Sequence, residues 1–342
     1  MDMQGAIKAI TERQDLTAEQ MEQVMRTIMT GEATPAQIGG FLIGLRMKGE
    51  TVDEITAAAK VMRELAAKIN VSSDFPVDTC GTGGDASGTF NISTASAIVA
   101  AAAGCTVAKH GNRSVSSKSG SADLLEKAGL NLALQPEQVE ECIKQTDIGF
   151  MFAPNHHGAM KHAIGPRREM GARTIFNILG PLTNPAGAPN QVLGVFCRSW
   201  VLPLALVLNQ LGSRHVLIVN AEDGLDEISI AAPTSVAELK DGKITEYSIT
   251  PEQFGLNRAS LDDIKAADAN ASLEIINAVF NGKKDGKLEA AANIIALNAG
   301  AAIYVSGKTE SLEQGIELAQ SVIANGAAKS KFSQLIEISQ KL

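Results

Sequence analysis

Asp78-Thr79-Cys80-Gly81-Thr82-Gly83-Gly84-Asp85 runs through Gly88-Thr89-Phe90-Asn91-Ile92-Ser93-Thr94 into an alanine-rich stretch, and has the make-up of a phosphate cradle. Glycines let main chain approach an anion closely, while a helix N-terminus and Ser/Thr hydroxyls supply donors. The plainer alternative is a glycine turn with Ser93 or Thr94 as helix cap. Gly81-x-Gly83-x-x-Ala86 also fits the relaxed dinucleotide pattern. That pattern wants the helix to open inside the glycines and an acid on the next strand end, where this chain has Lys109-His110. The glycine run holds no Gly-Lys-Ser/Thr, which excludes a nucleoside-triphosphate loop there.

A second anion-binding loop is expected at Lys109-His110-Gly111-Asn112-Arg113-Ser114-Val115-Ser116-Ser117-Lys118-Ser119-Gly120-Ser121, which combines cations, hydroxyls and glycines. Two such loops point to a ligand with several phosphate groups; alone, this one is also compatible with a solvated basic loop. Asp223-Gly224-Leu225-Asp226-Glu227 supplies carboxylates of the kind that hold Mg²⁺ together with substrate phosphates. A fourth stretch holds His156, His157 and His162, then Arg167-Arg168, then Gly180-Pro181-Leu182-Thr183-Asn184-Pro185. The histidines lack zinc-site spacing, so polar lining is expected of them, and either arginine can meet an anionic substrate in bidentate fashion.

These loops need a scaffold that gathers strand ends. The first 70 or so residues read as helices: Thr17 with Gln20, Thr34 with Gln37 and Thr51 with Glu54 fit capping boxes, and Pro35 sits at a first helical position. From Phe75 onward short strands (75–78, 106–110, 148–153, 191–196, 215–219) alternate with helices (93–103, 122–128, 136–146, 201–211). Alternation predicts an α/β fold, a mostly parallel central sheet flanked by helices, with ligands at the carboxyl ends of the strands. Residues 233–260 leave room for an antiparallel excursion, and 270–326 read as helical again.

The 342 residues allow one large and one small domain. A formal net charge of -8 argues against a nucleic-acid binder, whose affinity rests on neutralising phosphates. The longest apolar run, Ala95 to Cys105, is about half the roughly 20 residues a membrane span needs, and the N-terminus lacks the pattern of a secretory signal. Four scattered cysteines (80, 105, 142, 197) fit reduced thiols, and a cytoplasmic location is expected.

Gly81-Thr82-Gly83-Gly84-Asp85 with Asn91-Ile92-Ser93-Thr94, Lys109-His110-Gly111-Asn112-Arg113, Asp226-Glu227 and Phe176-Asn177-Ile178-Leu179-Gly180-Pro181-Leu182-Thr183-Asn184-Pro185 closely resemble the anthranilate phosphoribosyltransferase family of tryptophan biosynthesis. The resemblance spans essentially the whole chain. It implies a small all-helical domain, residues 1–72 with an inserted segment at about 165–187, on a large α/β domain formed by 73–164 and 188–342. It implies anthranilate and phosphoribosyl pyrophosphate as substrates, two Mg²⁺ ions, a homodimer through the helical part, and anthranilate synthase components as candidate partners. Carried over by motif, the donor would meet Gly81, Gly84, Asp85, Thr89, Asn91, Ile92, Ser93, Thr94, Lys109, His110, Gly111, Asn112, Arg113, Ser114, Val115, Ser116, Ser117 and Ser121. Ser93, Asp226 and Glu227 would ligate metal; Gly81, Asn112 and Arg167 would hold anthranilate, with His110 and His157 nearby. Gly158 and Met170 depart from the usual pattern without touching these positions.

The expected chemistry needs no covalent nucleophile, and no side chain stands out as an obligatory base. An aniline nitrogen can attack uncharged and lose its proton afterwards, so catalysis would rest on positioning and electrostatics, with Lys109, Asp226 and Glu227 central. A pyrimidine-nucleoside phosphorylase of similar fold would open its glycine loop with Lys-x-Ser-Thr-Gly-Gly, which is not the sequence found here. A non-catalytic nucleic-acid-binding relative would need a basic surface.

Overall fold

The computed structural model describes residues 1–73, 75–85, 87–114 and 119–342. The expected donor contacts Val115, Ser116 and Ser117 therefore lie outside the described residues, as does Ala86 of the dinucleotide-like pattern.

Four helices come first: α1 (Met3–Thr11), α2 (Ala18–Met29), α3 (Pro35–Lys48) and α4 (Val52–Leu65). All three anticipated capping boxes form, at Thr17, Thr34 and Thr51. Each reciprocal pair satisfies two amides that the first turn would otherwise leave open. Between α3 and α4 lies a buried ion pair, Lys48 Nζ to Glu54 Oε2 at 2.9 Å, with Glu54 Oε1 also accepting from the Leu16 amide at 2.9 Å.

The α/β part follows as β1 (Val77–Gly81), α5 (Ile92–Ala102), β2 (Val107–Gly111), α6 (Ser121–Lys127), α7 (Pro136–Thr146), β3 (Ile148–Phe152), α8 (Ala153–His156), α9 (Lys161–Met170), α10 (Phe176–Leu179), β4 (Asn190–Gly194), α11 (Val201–Gln210) and β5 (His215–Ala221). It ends with β6 (Thr234–Lys240), β7 (Lys243–Ile249), α12 (Ala269–Phe280), α13 (Lys287–Val305), α14 (Leu312–Ala324) and α15 (Ala327–Lys341). Strand order is β3-β2-β1-β4-β5-β6-β7, parallel through β5, with β6 and β7 forming the antiparallel excursion.

Side chains alternate across the sheet, so each strand feeds two cores. Leu217 and Val219 of β5 point into a cluster with α5, α13 and α14, whereas Val216 and Ile218 join one with α11 and the N-terminal helices. That second cluster runs without a break from Met21, Phe41 and Ile55 to Leu193 and Leu239. The helices at the N-terminus are thus fixed relative to the sheet by shared apolar burial. Helix α13 is long and apolar enough to cross a membrane, yet most of it is buried as the central helix of the first cluster.

Candidate active site

The parallel order places β1, β2, β4 and β5 side by side, so the loops after them meet at one edge. After β1 the chain turns through Gly83 and Gly84, with φ of 65° and 81°, a region L side chains disfavour. The turn is anchored on both sides: Thr82 N donates to Gly194 O at 2.9 Å, and Gly83 N to Asp226 Oδ2 at 2.8 Å. Further along, Thr89 bridges to Lys265, and Asn91 N donates to Ser272 Oγ at 2.9 Å.

Asn91, rather than Ser93 or Thr94, occupies the cap position of α5, and its side chain makes no capping bond. Instead Asn91 Oδ1 accepts from the hydroxyls of Ser119 and Ser272, both at 2.8 Å, and Asn91 Nδ2 donates to Ser119 O at 3.2 Å. The amide thereby ties the first loop to the second. Thr94 Oγ1 is buried without a protein partner.

From β2, Lys109 is buried and its Nζ donates to Thr79 O at 2.6 Å and reaches Ser93 Oγ at 3.4 Å. Burial lowers its pKa, opposed chiefly by Asp78 and also by Glu227. Asn112 and Arg113 are exposed, and Ser121 Oγ donates to Asn112 O at 3.4 Å. The Arg113 guanidinium pairs with Glu126 at 2.7 Å and Asp123 at 3.1 Å and lies over Phe152. Asp123 in turn accepts the amides of Ser114 and Gly120, which folds this loop back on α6.

The acidic loop after β5 divides its labour. Asp223 closes the turn, accepting from Leu225 N at 3.2 Å and Ser229 Oγ at 2.6 Å, whereas Asp226 and Glu227 face the glycine loop. Burial raises the Asp226 pKa to about 7, with Asp85 adding to the effect. Burial, then Asp226, pushes Glu227 well up, while Lys109 and the Ser93 amide act the other way. Lys109, Ser93, Asp226, Glu227 and Asp85 therefore converge. Like-charged carboxylates that raise one another, beside a serine hydroxyl, are a donor set suited to a hard divalent cation. Among the described residues no three His, Cys, Asp or Glu side chains form a site for a metal by themselves.

The three histidines expected to line the site, and His110, have different settings. His156 Nδ1 lies 2.8 Å from Ala67 O, His162 rests against Gly31, and the His110 and His157 rings stand 5.1 Å apart. Burial lowers the pKa of His157 to about 4 and holds that of His110 well below the ordinary value, which favours the neutral rings. Arg167 is mostly buried with its guanidinium 5.1 Å from the Phe176 ring centre, whereas Arg168 is exposed.

Two contributors escape sequence reasoning. Gly194 ends β4 where a Cβ would stand 1.5 Å from Asp226 O, so only glycine admits the acidic loop. Paired glycines at neighbouring strand ends, Gly81 and Gly194, are the signal that reveals it. Arg173 hydrogen-bonds Gly84 O, stacks over Phe196 at 4.3 Å, and its carbonyl accepts from Arg46 Nη1 of α3 at 2.8 Å. It links the N-terminal helices to the glycine loop.

An α/β domain with glycine-, lysine- and acid-bearing loops at the strand ends, carrying a helical bundle, defines a class, and comparison with known proteins agrees. Residues 74–329 match the glycosyl transferase family a/b domain, and residues 4–66 match the helical bundle domain of the same family. The anthranilate phosphoribosyltransferase of Thioalkalivibrio sulfidiphilus is 65% identical over 336 residues, covering 98% of both chains. That of Marinomonas sp. is 62% identical, covering 98% of this chain and 96% of its own. Among solved structures, anthranilate phosphoribosyltransferase from Thermus thermophilus superposes with a TM-score of 0.92 at 42% identity, covering 98% of this chain and 99% of that one. The Saccharomyces cerevisiae enzyme in complex with PRPP and Mg shares the fold, with a TM-score of 0.91 at 24% identity over 99% of this chain and 98% of that one. The chain belongs to the anthranilate phosphoribosyltransferase family.

Proposed function

We propose that the protein transfers the phosphoribosyl group of 5-phosphoribosyl 1-pyrophosphate to the amine of anthranilate in a Mg²⁺-dependent reaction. The products are N-(5-phosphoribosyl)anthranilate and pyrophosphate, the second step from chorismate towards L-tryptophan. The observation that carries this reading is the meeting of Lys109 and Ser93 with the Asp226–Glu227 couplet beside the Gly81–Asp85 loop.

In the reaction the bond from C1 of the ribose to the pyrophosphate oxygen breaks as a bond from C1 to the amine nitrogen forms, and the amine then loses a proton. Positive charge grows on the sugar and negative charge on the leaving group. Lys109 and the amides of the glycine loop are positioned to offset the latter. Bound Mg²⁺, held by Ser93, Asp226 and Glu227 as one or two ions, would neutralise the diphosphate charge. Asn91 holds the two donor loops together, so that Gly84, Asp85, Thr89, Thr94, Gly111, Ser114 and Ser121 surround one ligand. The acceptor carboxylate meets Arg167, whose partial burial strengthens a bidentate pair, and Gly81 and Asn112 complete that pocket. The neutral imidazoles of His110 and His157 flank it.

The division into a helical part (1–72 with about 165–187) and the α/β remainder belongs to the same reading, supported by the packing of α9 and α10 residues Ala163, Ile178 and Leu179 with Met21 and Phe41. A homodimer through the helical part is supported by Met47 and Ile164, apolar side chains 78% and 45% exposed. The decisive experiment mixes purified protein, anthranilate, phosphoribosyl pyrophosphate and Mg²⁺ and follows loss of anthranilate fluorescence. Signal is expected with the metal and none after its removal by EDTA; no turnover in the complete mixture overturns the assignment.

A further inference from the structure

Strands β1 and β2 separate after a single pair, Val77 with Val107, whereas β1 pairs with β4 over five residues and β2 with β3 over five. Main-chain groups along such a gap must find other partners. On β2, Ala108 O accepts from Asn184 Nδ2 at 2.9 Å, and His110 N donates to Asp78 Oδ1 at 3.1 Å. The same Asn184 nitrogen donates to Asp78 Oδ2 at 2.7 Å, and Asn184 Oδ1 accepts from Ala186 N at 2.8 Å. Asp78 is 0% exposed and Asn184 6%, so the bonds of Asp78 and the one to Ala108 O are shielded from water, while that from Ala186 N is partly so.

Asn184 also ends a segment that holds two rings. His110 is held directly through its amide on Asp78 Oδ1, and the main chain of Gly180 lies close enough to its ring, and that of Thr183 to the His157 ring, to favour their charged forms. Among the described residues both Nε2 atoms are buried without a partner. Buried polar atoms are nearly always paired, but His156 Nε2 is bare as well, so it is the pairing of the His110 and His157 rings, 5.1 Å apart with His110 two residues before Asn112, that points to a polar ligand.

We propose that Asp78 and Asn184 are a positioning pair: they splint the gap between β1 and β2 to the Gly180–Thr183 segment and so aim His110 and His157 at the acceptor. The pair touches no substrate. It acts through the segment, whose displacement would turn both imidazoles together. The opening between the strands also lets Lys109 Nζ cross to Thr79 O, so donor and acceptor sides of the site share one splint. This inference rests on the proposed function, because the acceptor is taken to be anthranilate.

The test uses the full-length enzyme with Asn184→Asp, Asn184→Ser and the exchange Asp78→Asn with Asn184→Asp. Asn184→Asp sets two carboxylates against each other. The exchange restores the 78–184 bond and keeps acceptors for His110 N and Ala186 N, at the cost of turning a carboxylate oxygen towards Ala108 O and moving the charge of Asp78 away from Lys109. The expected result is an anthranilate KM at least tenfold higher in Asn184→Asp, a phosphoribosyl pyrophosphate KM within threefold, and return of the anthranilate KM to within threefold of wild type in the exchange. A purely structural role would lower kcat through loss of folded enzyme and leave the anthranilate KM alone; that outcome, or an exchange no better than Asn184→Asp, overturns the proposal. Asn184→Ser, a milder change, is read the same way if Asn184→Asp does not fold. Imidazole proton resonances give a readout independent of turnover: those of His110 and His157 should move in Asn184→Ser while that of His215 stays, and unmoved His110 and His157 signals overturn the pair. Absence of wild-type turnover with anthranilate would count against the proposed function instead, leaving the resonance test of the pair intact.

Discussion

Replacing Gly81 by alanine tests the idea that an empty Cβ position is what seats Asp226. A Cβ there would stand 2.5 Å from Asp226 Oδ2 and 3.1 Å from its Cγ, where ordinary contact starts at 3.4 Å. The carboxylate must retreat by about 1 Å, the scale at which a misplaced group costs on the order of 100-fold in rate. The retreat also breaks the 2.8 Å bond from Gly83 N. Hydrogen bonds to ionised groups contribute about 1.5 to 3 kcal/mol, which is roughly 10- to 150-fold and agrees with the first figure. Gly81 is not among the positive-φ glycines, so alanine brings no backbone strain and the thermal midpoint should move by only a few degrees. The fluorescence assay should therefore show kcat/KM about 100-fold lower in a protein that melts nearly as the wild type does. Activity within threefold of wild type would refute the steric argument. Gly194→Ala supplies the contrast: its Cβ would meet main chain at 1.5 Å, no side-chain rotation relieves that, and little folded protein is expected.

Arg167→Ala should raise the anthranilate KM at least tenfold with little effect on the donor KM, while exposed Arg168→Ala leaves both within twofold; equal effects would mean the carboxylate partner is misassigned. Far from the site, burial acts to raise the pKa of Glu238, but hydrogen bonds from His215, Tyr304 and Tyr247 outweigh it and lower the net value. A depressed folded-state value gives stability that is present above the ordinary glutamate pKa, about 4.3, and is lost as pH falls through the folded value. Urea unfolding between pH 7 and 3 should show that loss in wild type and a flatter profile in Glu238→Gln; identical profiles would contradict the network's role.

How far the sequence reached is clearest at β1. Sequence reading places a strand at 75–78, drawn by Phe75 and Val77, whereas the strand is Val77–Gly81. Phe75 is instead exposed, with the Arg214 guanidinium 3.9 Å above its ring. Asp78 and Gly81 have poor strand propensity, but in a central strand backed by five pairs to β4, tertiary context overrides propensity. Capping boxes at Thr17, Thr34 and Thr51 were legible because they act over three residues. The antiparallel pair Thr234–Lys240 and Lys243–Ile249 was legible only as an irregularity. Gly81, Lys109 and Asp226 stood out through local composition. The pairings Asp78–Asn184 and Arg173–Gly84 did not, because each joins residues about a hundred positions apart, even though Asp78, Gly84 and Asn184 lie in motifs that did.

The charges gathered at the strand ends constrain the order of events in the proposed reaction. Asp85, Asp226 and Glu227 face one another, Asp78 lies just behind, and Lys109 is the buried cation among them. With Asp226 and Glu227 both raised, this cluster is only partly ionised while empty and offers a bare diphosphate little to bind, and any carboxylate that is ionised repels it with little screening. The same carboxylates become favourable once the incoming anion arrives paired with a divalent cation that each of them can also face. Lys109 alone cannot reverse the balance, because its own charge already leans on Asp78 and Glu227. In the proposed reaction the acids would therefore select the state of the donor, metal-bound over free, while the glycine turns and the Asn91 bridge would select its shape.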